Sequence, residues 1–175
     1  GGMLVKGERF AADRVVGEPV AWARVMAQVR EVDEIVMLDV SRDPLDLGLL
    51  GRVAAECFVP LAYGGGIYSV ADAESAVACG ADKIVLTWRR RELIAPLAQH
   101  LGSQSVVACV DVYLNDPVDL FTSTMRAMVV LGAGEVMLQV IDLDGTLGGA
   151  AITPAMLVRQ MATVPIVYGG GVSDL

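Results

Sequence analysis

Val59-Pro-Leu-Ala-Tyr-Gly-Gly-Gly66 returns almost unchanged as Val164-Pro-Ile-Val-Tyr-Gly-Gly-Gly171, shifted by 105 positions (169 − 64). A short apolar run ending in three glycines reads as a strand that feeds a tight turn. Its return at a long fixed offset marks an internal repeat. The same shift brings Ile35–Leu38, before Asp39, close to Val140 and Ile141, before Asp142. Two matching half-barrels are implied. With four β/α pairs as the unit of repetition, the chain holds units two to seven of a closed barrel, and a complete barrel runs to roughly 250 residues.

Outward from the two glycine runs, β-branched segments recur at 35–40, 60–63, 84–87, 106–112, 136–141 and 165–168, so six strands are expected. They are apolar at both odd and even positions, which suits parallel strands buried on both faces. Helical spacing lies between them, as in Leu47, Leu50, Val53, Ala54 and Cys57, or Val70, Ala73 and Val77 with a stop at Gly80. Ser69 with Asp72 has capping-box spacing, and Thr153 precedes a proline at a first helical position, Pro154. Strand and helix therefore alternate throughout. A dinucleotide-binding open sheet would carry G-x-G-x-x-G after its first strand, and none follows Val40. The fold class predicted is α/β, a partial (β/α)8 TIM barrel of about six parallel units, forming a single, incomplete domain over 1–175.

The 175 residues are 54% hydrophobic and carry a formal charge of -8. That balance argues against a nucleic-acid footprint. One basic cluster, Arg89 to Arg91, reads either as a solvated turn or as the seat of an anionic ligand. Cys57, Cys79 and Cys109 are odd in number and sit in apolar runs, which reads as a reduced, cytoplasmic core. No apolar run approaches the ~20 residues of a membrane helix, so no membrane partner is expected.

In barrels of this kind chemistry belongs to the carboxyl ends of strands. There the sequence places Asp39, Asp111, Asp142, Asp144 and both glycine runs. A carboxylate closing an apolar strand is partly desolvated, which raises its pKa toward general acid–base use, although an Asp there also caps helices or ties loops. Glycines after a strand let backbone N–H groups approach an anion, and two equivalent runs suggest a substrate with a phosphate at each end. At the opposite ends stand Glu34, Lys83 and Glu135, each just before an apolar run. They either flank the strands in solvent or form a paired charged ring.

Lys6-Gly7, Asp33-Glu-Ile-Val-Met-Leu-Asp39, Tyr63-Gly-Gly-Gly-Ile67, Gly80-Ala-Asp-Lys83, Gly102-Ser-Gln104, Asp111, Gly132-Ala-Gly-Glu135 and Ile141-Asp-Leu-Asp-Gly-Thr146 resemble, in order, the cyclase subunit family of imidazole-glycerol-phosphate synthase. The resemblance spans essentially the whole chain. It implies a lyase of histidine biosynthesis, with no cofactor, that takes ammonia from a glutaminase partner. Its substrate is a bis-phosphorylated ribulosyl compound, converted to imidazole glycerol phosphate and an aminoimidazole carboxamide nucleotide. By the same resemblance Asp111 is a catalytic carboxylate, and Gly65, Gly66, Thr87, Gly145, Thr146, Gly170 and Gly171 bind phosphate. Lys6 lies in a flexible first loop closing over substrate, and Asp39, Asp142 and Asp144 line the active-site rim. Glu34, Lys83 and Glu135 belong to the ammonia gate, and Asp82 contacts the glutaminase.

The chain also departs from that family. The family's other catalytic carboxylate lies on a first strand that this sequence lacks. Its Asn-Thr after the fourth strand is here Thr87-Trp88, followed by three arginines; the fifth loop is short, and Tyr113 stands where a lysine is usual. Glu56 to Gly66 reads closer to paralogues that deliver ammonia for sugar amidation in lipopolysaccharide synthesis. An inactive fragment or binding scaffold is the third reading.

Overall fold

The computed structural model describes residues 2–41, 44–151, 154, 156 and 163–173. The chain opens with an antiparallel hairpin of β1 (Leu4–Glu8) and β2 (Ala11–Gly17), followed by α1 (Pro19–Met26). Then strands and helices alternate: β3 (Ile35–Leu38), α2 (Leu47–Ala54), β4 (Leu61–Gly64), α3 (Val70–Ala78), β5 (Lys83–Thr87), α4 (Ile94–Leu101), β6 (Val106–Val112), α5 (Val118–Val130), β7 (Glu135–Val140) and β8 (Ile166–Gly169). The last six strands form one parallel sheet in sequence order, curled as part of a TIM barrel.

Two buried clusters explain why the strands read as apolar on both faces. On the convex side Leu50 and Val53 of α2, Ala73 and Ala76 of α3, Leu97 of α4 and Met125 and Met128 of α5 pack against Leu61, Ile84, Leu86, Ala108, Val110 and Leu138. Each fully buried Leu or Ile there contributes about 1.5–3 kcal/mol, so Leu50→Ala would open a cavity under α2. On the concave side Ala62, Val85, Val107, Cys109 and Met137 form a second, smaller cluster, the barrel lining.

Local chemistry sets the helix starts. Asp46 accepts from Leu49 N at 2.8 Å and Ser69 Oγ from Asp72 N at 3.1 Å. Asp72 reaches back to Tyr68 N at 2.9 Å, which gives the expected box a reciprocal bond one residue earlier than its usual place. The helix start expected at Thr153 lies outside the described residues.

Three details differ from the sequence reading. The hairpin stands where a flexible loop was expected around Lys6; its strands pair Val5 with Val15 and Lys6 with Arg14, and its turn residues Arg9 and Phe10 both have positive φ, 54° and 63°. That is the backbone of a two-residue hairpin turn, made without the Asn-Gly that announces one. Lys83 and Glu135 are the first residues of their strands and do not precede them. Finally, the repeat is not uniform: Leu38 pairs with Gly64 and Gln139 with Gly169, so those preceding strands are offset by 101 positions (139 − 38), not 105. Asp39 thus corresponds to Val140, and Asp142 falls in the 3-10 turn Ile141–Leu143 beyond it.

Candidate active site and the charged floor

Because all six strands run the same way, their carboxyl ends share one rim, the mouth, and their amino ends the other, the floor. Asp111 closes the concave face of β6, level with Gln139 of β7. Its side chain is exposed at the mouth, yet neighbouring groups desolvate it enough to raise its pKa, while the Cys109 thiol, 3.5 Å from its Oδ1, and the charge of Arg89 pull it back. Burial also pushes the Cys109 thiol up, with Asp111 adding to the rise, so that side chain stays a neutral donor.

Asp39 is held differently. Its carboxylate accepts from Ser41 N at 2.8 Å and from the Tyr63 hydroxyl at 3.4 Å. Burial and the neighbouring Asp39 keep Tyr63 protonated. Asp142 accepts from Leu114 N at 2.7 Å, tying the turn after β7 to the loop after β6. Asp144 accepts from Gln139 Nε2 at 3.2 Å, and its carbonyl takes Arg9 N at 2.9 Å from the hairpin tip. These three aspartates organise the rim, whereas Asp111 keeps its carboxylate turned to the barrel.

The glycine runs have matching backbones. Gly65 and Gly66 have φ of 104° and 66°, and Gly170 and Gly171 have 113° and 76°. A Cβ on Gly65 would collide with the Asp39 carbonyl, and one on Gly170 would lie 2.6 Å from the Val140 carbonyl. Conformation and close approach both demand glycine here, at equivalent places on the mouth. After β7, Thr146 Oγ1 donates to Leu143 O at 2.8 Å and accepts from Gly148 N at 3.2 Å, so that hydroxyl shapes its own loop. Thr87 ends β5 without a side-chain capping bond.

The hairpin reaches this rim. Gly145 packs against the Gly7 carbonyl, and a cleft of about 460 Å³ opens between Lys6, Gly7, Glu8, Arg14 and Gly145. Arg14, opposite Lys6, is a second cation that the sequence reading missed; only the hairpin register brings it there. Another cleft, of about 420 Å³ between the hairpin and Trp22, is largely apolar and contains none of the strand-end carboxylates.

At the floor the three charged residues meet. Lys83 Nζ lies 2.6 Å from Glu34 Oε2 and 2.6 Å from Glu135 Oε2. The side chains are only 20%, 22% and 10% exposed, respectively. Burial disfavours the Lys83 charge, but the hydrogen bonds to Glu135 and Glu34 outweigh it and leave its pKa raised. Asp82, exposed beside them, accepts from Leu61 N at 2.8 Å, which gives it a structural task at the start of β4. Among the described residues no group of His, Cys, Asp and Glu could hold a metal, and no helix is long and apolar enough to cross a membrane.

A curled parallel sheet with glycine turns and a strand-end carboxylate on one rim defines the TIM-barrel class of fold. Residues 1–175 match the family described as histidine biosynthesis protein. The imidazole glycerol phosphate synthase subunit HisF of Solibacter usitatus is 36% identical over 98% of this chain and 75% of its own length. A putative subunit hisF3 of Vibrio vulnificus is 32% identical over 96% of this chain and 73% of its own. A putative HisF of Leptospira interrogans is 32% identical over 99% and 77%. The chain belongs to the histidine biosynthesis protein family.

Proposed function

We propose that this chain is the ammonia-using cyclase barrel of an imidazole glycerol phosphate synthase, acting on a bis-phosphorylated ribulosyl substrate beside a glutaminase subunit. The observation that carries this reading is the pair of glycine turns with matching positive φ on the rim that also holds Asp111. Two backbone cradles at repeat-related places suit one ligand with a phosphate at each end, laid across the mouth. Asp111, whose pKa is raised by desolvation, is the group that would move protons on such a ligand.

The floor supports the ammonia half of the reading. Neutral ammonia passing the Lys83 ring would meet the apolar lining of Ala62, Val85, Val107, Cys109 and Met137 before reaching Asp111. A lining of that kind excludes ammonium, because an unpaired charge there is strongly disfavoured. Phe58, 82% exposed before β4, and Val130, 87% exposed at the end of α5, lie in connections at the floor and offer apolar purchase to a docked glutaminase.

Isothermal titration with a bis-phosphorylated sugar analogue tests the mouth. Binding is expected in the parent chain and is expected to weaken in both Gly66→Val and Gly171→Val, where a side chain blocks backbone approach. A folded parent that binds no such analogue would rule the reading out.

A further inference from the structure

On the concave face of β7, after Glu135 and Met137, the residue nearest the mouth is Gln139. It pairs with Asp111 of β6 on one side and with Gly169 of β8 on the other. Its amide leans toward β8, because a Cβ on Gly169 would collide with Gln139 Oε1. Filling that slot does not require an amide. In the other half of the repeat Leu38, which pairs with Gly64, fills the equivalent place, its Cδ2 3.0 Å from where a Cβ on Gly64 would stand. A polar group where a leucine fits costs free energy unless it is hydrogen-bonded. Gln139 Nε2 donates to Asp144 Oδ1 at 3.2 Å. A carboxylate only accepts, so the amide must turn its NH2 end that way.

Asp144 leaves the 3-10 turn Ile141–Leu143 with φ -57° and ψ 128°, and Gly145 follows at φ 71°. The hairpin sits on these two residues: Arg9 N donates to the Asp144 carbonyl at 2.9 Å, and Gly145 packs against the Gly7 carbonyl. The same hairpin holds Lys6 and Arg14 beside Gly145 in the cleft of about 460 Å³. Two bonds aim the Asp144 carbonyl at Arg9. One, Asp144 N to Ile141 O at 3.1 Å, lies within the turn; the other, from Gln139, ties the turn to the strand.

We propose that Gln139 is a positioning residue of the mouth: through the Asp144 carboxylate it fixes the turn after β7 and so seats the hairpin that brings Lys6 and Arg14 to the ligand. The inference rests on the reading of the mouth as the ligand site. Gln139 acts through Asp144 and need not touch the ligand. Without its amide the turn can swing from β7, and the two cations move with the hairpin. A ligand held by those cations and the seating of the hairpin favour each other equally.

The test is amide hydrogen exchange, read by NMR in the full-length barrel. In the parent, Arg9 N–H is expected to be protected. In Gln139→Leu its protection should fall by about tenfold or more, as for a lost hydrogen bond to a carboxylate, while the amides of β6 exchange as in the parent and show the barrel folded. Gln139→Glu sets two carboxylates against each other and should release Arg9 as well. Adding Asp144→Asn to it returns a donor and acceptor of the same lengths in reversed order and should restore protection, which a packing role alone would not produce. A saturating bis-phosphorylated sugar analogue should restore protection in Gln139→Leu. Parent-like Arg9 exchange in Gln139→Leu, failure of the reversed pair to restore it, or bound analogue that leaves Arg9 unprotected each overturns the inference. Absence of analogue binding to the parent is a separate result: it sinks the reading of the mouth, while the first two comparisons still decide whether Gln139 seats the hairpin.

Discussion

Asp111 concentrates the conflict between stability and function at a single side chain. Desolvation raises its folded-state pKa above the unfolded value, so the native protein binds this proton more tightly than the unfolded chain. The contribution to stability is therefore favourable at low pH and is lost as pH rises through the folded pKa. Near neutrality the carboxylate is a net cost. Asp111→Asn should accordingly raise the melting temperature at pH 7, with the gain shrinking as pH falls through the aspartate range. Calorimetry across pH reads this directly, and an equal effect at all pH values would mean that the charge is not the cause. Asp111 was legible in the sequence because its position at the carboxyl end of an apolar strand already tells which rim it occupies. The tasks of the arginines after β5 were not, since a 3-10 turn gives no period from which to read that Arg90 lies over Tyr68 and Arg91 over Trp88.

Among the elements, the strands were legible and the hairpin was not. Alternation of glycine, apolar run and helix spacing sufficed for β3 to β8, whose neighbours in sequence are also their neighbours in space. β1 and β2 hide because their turn is Arg9-Phe10 and their exposed apolar residues show no clean period. The floor charges depended on one residue of strand length: once Lys83 and Glu135 are inside β5 and β7, alternation aims both into the barrel, where Glu34 joins them. Lys83→Met alone strands two mostly buried carboxylates and should cost about 3 kcal/mol, the low end for a broken buried pair because the ring retains some solvent. Adding Glu34→Gln and Glu135→Gln should recover most of that loss in chemical denaturation. A single variant as stable as the parent would show that the ring is solvated in solution.

At the scale of the molecule, the parallel sheet gives the barrel two unlike ends. One carries glycine cradles, Asp111 and the hairpin; the other carries the charged ring and exposed Phe58 and Val130. An apolar lining joins them. The central claim is that the ends work in series, with ammonia entering at the floor and reacting at the mouth. The most direct measurement compares glutamine-supported with ammonia-supported turnover in the full-length barrel paired with its glutaminase, before and after neutralising Glu34, Lys83 and Glu135 together. The account predicts that glutamine-supported turnover falls by about tenfold or more, a loss of ~1.4 kcal/mol or greater, while the ammonia-supported rate is largely kept and glutamine hydrolysis continues uncoupled. Equal loss from both nitrogen sources in a folded protein would contradict it.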